Sequence, residues 1–134
     1  MTADLVLPDT SVWVEYLRLG DRGRAGDLRG LLGESRVVTC APVVAELLAG
    51  ARPPDQDLLS SLLGGLPWAD LDRAAWRRIG QAAGELRRAG RSVALTDITI
   101  AVAAQWAAAT VWTADTDFER VRQVVHGLRL RPLG

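Results

Sequence analysis

The chain has 134 residues, a length that suits one domain with one hydrophobic core. Sixteen basic residues balance sixteen acidic ones, so composition alone points to no polyanion partner, and 49 % apolar content is ordinary for a folded globular chain. A single cysteine, Cys40 in an apolar run, excludes an internal disulfide and reads as a small core residue. The basic residues are all arginine, a bias that a GC-rich coding sequence explains more simply than selection for phosphate binding. No basic region followed by a long apolar stretch marks a signal peptide, and no segment reaches bilayer-spanning length. A cytoplasmic protein is therefore expected.

Strand and helix alternate along the chain. Leu5-Val6-Leu7 reads as a short buried strand stopped by Pro8. Thr10 to Arg18 reads as a helix with Val12, Trp13, Tyr16 and Leu17 turned inward. A charged, glycine-rich loop leads to a helix near Gly26 to Leu32, and Arg36 to Cys40 is strand-like. Pro42 sits where a helix begins and its missing N–H costs nothing; that helix runs to Gly50-Ala51. Pro53-Pro54 reads as a break before a helix over Gln56 to Leu63, and Leu66 to Leu71 as a short strand interrupted by Pro67. The longest helix is expected from Asp72 to Ala89, with Trp76, Ile79, Ala83 and Leu86 on its buried face. An alanine-rich helix starts at Thr96 or Asp97 and ends near Ala108. Thr110 to Thr113 is a fourth strand, Thr116 to Val125 a helix, and Leu128 to Leu130 a fifth strand. Such alternation predicts an α/β fold, a parallel sheet covered by helices on both faces in one domain over 1–134.

Four carboxylates lie where strands give way to helices or just inside helices: Asp9, Glu46, Asp97 and Asp115. Ligands of parallel sheets bind beyond the carboxyl ends of the strands, where strand order reverses. Asp9 follows the first strand and Asp115 the fourth; if these strands are neighbours, both acids face one crevice. Glu46 and Asp97 belong to the same end of the sheet. Each acid also has an ordinary explanation: Asp9, Asp97 and Asp115 suit helix N-caps, and Glu46 suits a salt bridge to an arginine. Together, converging carboxylates repel one another unless a cation sits between them. Oxygen ligands without a nearby histidine or usable cysteine suit a hard ion, Mg²⁺ or Mn²⁺. Thr10, Ser11, Thr96, Thr113 and Thr116 place hydroxyls beside these acids, where they can orient them.

Read in order, Asp-Thr-Ser-Val-Trp after the first strand, Glu46 in the helix after the second, Thr-Asp-Ile-Thr-Ile-Ala opening a helix, and Thr-Ala-Asp-Thr-Asp-Phe after the fourth strand resemble the PIN domain. Within it the chain resembles the VapC toxins of bacterial type II toxin–antitoxin pairs, over its whole length. The resemblance implies a PIN-like three-layer α/β/α fold with a five-stranded parallel sheet. It implies a Mg²⁺- or Mn²⁺-dependent endoribonuclease, a homodimer, and inhibition by a cognate VapB-like antitoxin. Asp9, Glu46, Asp97 and Asp115 match the family's four acidic positions, Asp117 a fifth whose importance varies, and Ser11 and Thr113 its supporting hydroxyls. Pro8 departs from the apolar strand residue expected there.

The residue inventory fits this chemistry. His126 is the lone histidine and lies far in sequence from the acids, so covalent catalysis lacks a base. Hydrolysis would use metal-activated water, with Asp9, Asp97, Asp115 and Asp117 as ligands and Glu46 as ligand or orienter of the water. Asp115-Thr-Asp117 fails as a calcium loop, because Arg120 stands where glycine is required and His126 where glutamate is. The arginines of the long helix read as a solvated outer face. The rival reading is a PIN-like module without catalysis that binds RNA or a protein.

Overall fold

Leu5–Pro8 forms β1 and Ala109–Thr113 forms β2; they pair in parallel, Leu5 opposite Ala109 and Pro8 opposite Trp112. Leu130–Pro132 forms β3 and pairs in parallel with β2, giving the order β1-β2-β3. These strands belong to a computed structural model that describes residues 4–134.

The sequence pattern predicts five strands, and three form ladders. The segments around Val37 and Trp68 join the sheet through single parallel bridges, Val6 to Val37 and Thr39 to Trp68. Prolines account for both truncations. Val6 N–H donates to the Arg36 carbonyl and Val38 N–H to the Val6 carbonyl. The next rung would need an N–H at Pro8, and proline has none. At the sheet edge, Thr39 N–H donates to the Pro67 carbonyl and Ala69 N–H to the Thr39 carbonyl. The preceding rung would need an N–H at Pro67. Pro8 faces away from β2, so the β1–β2 ladder continues past it to a bond from Asp9 N–H to the Trp112 carbonyl, 2.9 Å.

Among the described residues, seven α-helices accompany the sheet: α1 Thr10–Leu19, α2 Leu28–Gly33, α3 Ala41–Gly50, α4 Pro53–Gly64, α5 Arg73–Arg88, α6 Leu95–Trp106 and α7 Asp117–Val121. Pro53-Pro54 opens α4 instead of breaking the chain, since the first turn's N–H groups have no helical partner anyway. The expected helix to Val125 stops at Val121 and gives way to turns closed by Gly127 at φ +82°. The last strand accordingly begins at Leu130, two residues later than expected.

The buried face of α5 is Ala75, Ile79, Ala82 and Leu86; Trp76 is 52 % exposed. Two stripes at spacings of three and four share Ile79 and Leu86, and the pattern alone favours the bulkier one. Alanine-lined α6 packs against α5 and leaves room for the smaller one. Leu17, expected to turn inward, is exposed, as is Trp106, whereas Trp13 is fully buried. The core gathers Leu7, Val12, Trp13, Ile98, Ile100, Trp112 and Phe118 around the β1–β2 pair. Each such side chain contributes about 1.5–3 kcal/mol by leaving water. Cys40 is buried as expected, and burial pushes its thiol up to about 11.

From β1 the chain first visits the bridged segments on one side, then returns to β2 on the other. Strand order therefore reverses between β1 and β2, and the crevice beyond their carboxyl ends is the ligand position for such a sheet.

Candidate metal centre

Asp9 leaves β1 and caps α1, its Oδ1 accepting from Val12 N–H at 3.3 Å. The capping role expected of it is thus real, but incomplete. The same Oδ1 accepts from the Ser11 hydroxyl, and Oδ2 accepts from the Thr113 hydroxyl at the end of β2. Both hydroxyls also accept from the turn after β2. Asp115 N–H donates to Thr113 Oγ1 at 2.8 Å, and Ala114 N–H donates to Ser11 Oγ at 3.1 Å. Two hydroxyls therefore lace the end of β1 to the end of β2. Asp9 is 5 % exposed. Burial raises its pKa, and the bonds from Ser11, Thr113 and the backbone hold that rise back.

Asp97 lies in the first turn of α6 but caps nothing, for Ala94 holds the cap position. Asp115 Oδ1 accepts from Asp117 N–H at 2.9 Å, which folds the turn before α7 and carries Asp117 inward. Carboxylate oxygens of Asp97, Asp115 and Asp117 all lie within 4.8 Å of one another. Burial pushes the Asp97 carboxyl up to about 7, helped by the negative charges of Asp115, Asp9, Asp117 and Glu46, in that order. Five acids therefore share one field. Burial and neighbouring negative charge both disfavour the ionised carboxylate, and a cation placed among these acids would favour it.

The structure thus joins Asp97, Asp115 and Asp117 most tightly. Asp9 stands beside this trio, with its oxygens engaged by hydroxyls. Each carboxylate oxygen has two lone pairs, so these bonds leave Asp9 capacity to accept a further ligand. Glu46 lies farther out: it is exposed on α3 and its Oε1 accepts from the Thr10 hydroxyl at 2.8 Å. No arginine pairs with it among the described residues. Thr96 and Thr116, which flank acids in sequence, make no side-chain hydrogen bond among the described residues. Two interactions escape the sequence reading. Thr10 supports Glu46, a link across 36 residues that no local pattern reveals. Arg120 pairs with Asp117 at 3.3 Å, which the spacing of three on a helix would have signalled.

The donor set, all carboxylate oxygen, fits a hard divalent cation. Asp97, Asp115 and Asp117 would hold it, with Asp9 completing the shell. Among the described residues, no helix is long and apolar enough to cross a membrane.

Comparison with known proteins agrees with this geometry. The PIN domain profile matches residues 6–124. Ribonuclease VapC11 of Mycobacterium tuberculosis and a VapC ribonuclease of Mycobacterium bovis are each 33 % identical over 127 residues, covering 91 % of this chain and 95 % of theirs. Among solved structures, DNA-bound VapBC from Salmonella typhimurium superposes with a TM-score of 0.76 at 24 % identity, covering 98 % of this chain and 100 % of that one. VapBC2 from Rickettsia felis, bound to a promoter DNA fragment, gives 0.75 at 22 % identity, covering 97 % and 99 %. These structures share the α/β fold with its parallel sheet. The profile match over most of the chain and the identity to full-length relatives place it: the chain belongs to the PIN-domain family, among the VapC ribonucleases.

Proposed function

We propose that this chain is a VapC-type toxin, a Mg²⁺- or Mn²⁺-dependent endoribonuclease that hydrolyses RNA phosphodiester bonds. The observation that carries this reading is the Asp97–Asp115–Asp117 cluster at the β1–β2 switch, with the Asp97 carboxyl raised by burial and by its acidic neighbours. A bound divalent ion would activate water and offset charge on the phosphate. Asp97, Asp115 and Asp117 hold the ion in this reading, and Asp9 completes its shell. Ser11 and Thr113 fix the angle of the Asp9 carboxylate. Glu46, steadied by Thr10 at the outer edge, orients the attacking water. Residues 1–134 act as one three-layer PIN-like domain, with the bridged segments serving as the two strands of five that lie beyond β1, and the chain works as a homodimer.

The partner in this reading is a cognate VapB-like antitoxin. Its tail would cover the acidic crevice, with an arginine pairing to Asp97 or Asp115. A groove of about 450 Å³ between α1, α3 and α4 supports this, because exposed Leu17 and Leu58 line it and Glu46 joins it to the acids.

The test is cleavage by the purified chain. It should cut structured RNA internally with Mn²⁺ or Mg²⁺, stop with EDTA, and leave 5′-phosphate and 3′-hydroxyl ends. Products ending in a 2′,3′-cyclic phosphate, or cleavage that persists in EDTA, would refute it. An inert RNA- or protein-binding module would show no Mn²⁺ response at all.

A further inference from the structure

The exit of α5 builds a chemical environment opposite in sign to the acidic cluster. From Arg73 to Arg91 the chain carries six arginines and one acid, Glu85. Seven arginines elsewhere pair with carboxylates, while no carboxylate pairs with these six among the described residues. They do not all face the same way. Arg88 folds back over Gly84 of its own helix, and Arg78 donates to Gln105. Arg87 and Arg91 line one hollow of about 300 Å³ with Ser92. The turn after α5 creates it: Gly90 takes φ +74°, and Arg91 N–H bonds back to the Leu86 carbonyl at 2.8 Å. The hollow is closed on one side by Leu86, Val93 and Leu95. Leu95 opens α6 and stands two residues before Asp97.

The negative end of the α5 dipole favours Arg87 and Arg88 in its last turn. It does not account for Arg91 and Ser92, which lie beyond the helix and complete the hollow. Two guanidinium groups and a hydroxyl on an apolar floor match the oxygens of a phosphodiester. No aromatic side chain lines the hollow, so it offers nothing on which a base could stack. A site dominated by acids repels RNA, and this chain has no net charge to offset that repulsion.

We infer that Arg87, Arg91 and Ser92 form a subsite for a backbone phosphate of single-stranded RNA, next to the first turn of α6. The inference rests on the ribonuclease reading and deepens it. The subsite grips backbone, so it sets affinity and register and leaves sequence choice to other residues.

The test uses the full chain with Mn²⁺ and an unstructured RNA oligonucleotide at several salt concentrations. Arg87→Ala/Arg91→Ala should raise KM at least about tenfold, the loss of one charge-assisted hydrogen bond or more, with kcat little changed. The slope of log(kcat/KM) against log salt should shrink by about 0.7, the value for one single-strand phosphate no longer neutralised. Lysines at both positions should restore the slope but only part of KM. Arg73→Ala/Arg77→Ala, at the other end of α5, should leave KM and slope unchanged. The rise in Tm with Mn²⁺ should be equal in all variants. Wild type that cuts RNA while the Arg87/Arg91 variant keeps its KM and slope would overturn the subsite and spare the ribonuclease reading. An equal loss in the Arg73/Arg77 variant would overturn it in favour of a diffuse basic coat. Wild type that cuts no RNA would overturn the reading beneath it.

Discussion

The two halves of the acidic centre are built on opposite principles. Asp9 is buried and satisfied: two hydroxyls and a backbone N–H meet its oxygens, and its own N–H is tied to β2. Asp97 is half-buried and unsatisfied: no capping bond reaches it, and four neighbouring acids help push its carboxyl up to about 7. One carboxylate is part of the scaffold, and the other waits for a counter-charge. Both belong to the same proposed site, yet their removal should have opposite consequences for stability.

The largest effect should be on cleavage. Asp97→Ala and Asp115→Ala each remove a member of the tight trio. Each should lower kcat/KM on the order of a hundredfold or more, about 3 kcal/mol of transition-state stabilisation. Asp9→Ala should lose as much by loosening the shell. Asp117→Ala should lose less, because Arg120 already draws on its carboxylate. A single-turnover assay with Mn²⁺ ranks the four. Equal activity of Asp97→Ala and wild type would dissolve the trio's role.

The comparison is sharpest in the metal-free protein. Asp97→Asn should raise Tm by removing repulsion, whereas Asp9→Asn should lower it by disturbing a buried hydrogen-bonded carboxylate. The pH dependence follows from the raised Asp97 carboxyl. Between the usual carboxylate pKa of 3.8 and about 7, the folded state holds a proton that the unfolded state has lost. Stability from Asp97 is therefore present at low pH and drains away as pH rises through 7. Metal-free Asp97→Asn should lack that decline. Mn²⁺ should reverse it in wild type, contributing about 2.7 kcal/mol at a hundred times its Kd, and should bind more weakly below pH 7. A wild-type Tm that climbs from pH 5 to pH 8 without metal would break the comparison.

A smaller effect is expected from the hydroxyl lacing. Thr113→Val keeps the shape of the side chain but removes the donor to Asp9 and the acceptor of Asp115 N–H. It should cost about 1–3 kcal/mol of stability and roughly tenfold or more in cleavage. Thr113→Ser should recover most of both. If valine and serine behave alike in urea melts and in cleavage, the lacing does not hold the centre.

The smallest effect concerns Pro8. Valine there would supply the N–H for a further rung toward Val38, while Asp9 stays anchored from the β2 side. Amide exchange should show a new protected proton at position 8, with the Mn²⁺ response unchanged.

The candidate acids are legible in the sequence, because each follows a strand, lies in a helix that leaves one or opens a helix that leads into one, at the same end of an alternating chain. The parallel α/β class and the cap role of Asp9 follow from local pattern for the same reason. The sequence also carries the hydroxyls Ser11 and Thr113, since neighbours in the chain stay neighbours in space. It overstates the strands at 36–40 and 66–71, where apolar residues suggest ladders that Pro8 and Pro67 cut to single bridges. It misplaces Trp76, because two helical stripes share Ile79 and Leu86 and only the facing helix selects between them.

The alternation of elements, the chemistry available at their ends, and the caps depend on residues a few positions apart and can be read along the chain. Which strands are neighbours, and hence that Thr113 reaches Asp9 across 104 residues, follows from packing in three dimensions. Packing likewise brings Asp117 to Asp97 in the trio and leaves Glu46 at the rim. Coulomb energy and hydrogen bonding depend on distances of a few ångströms, and those distances are set by packing between parts of the chain that no local spacing connects.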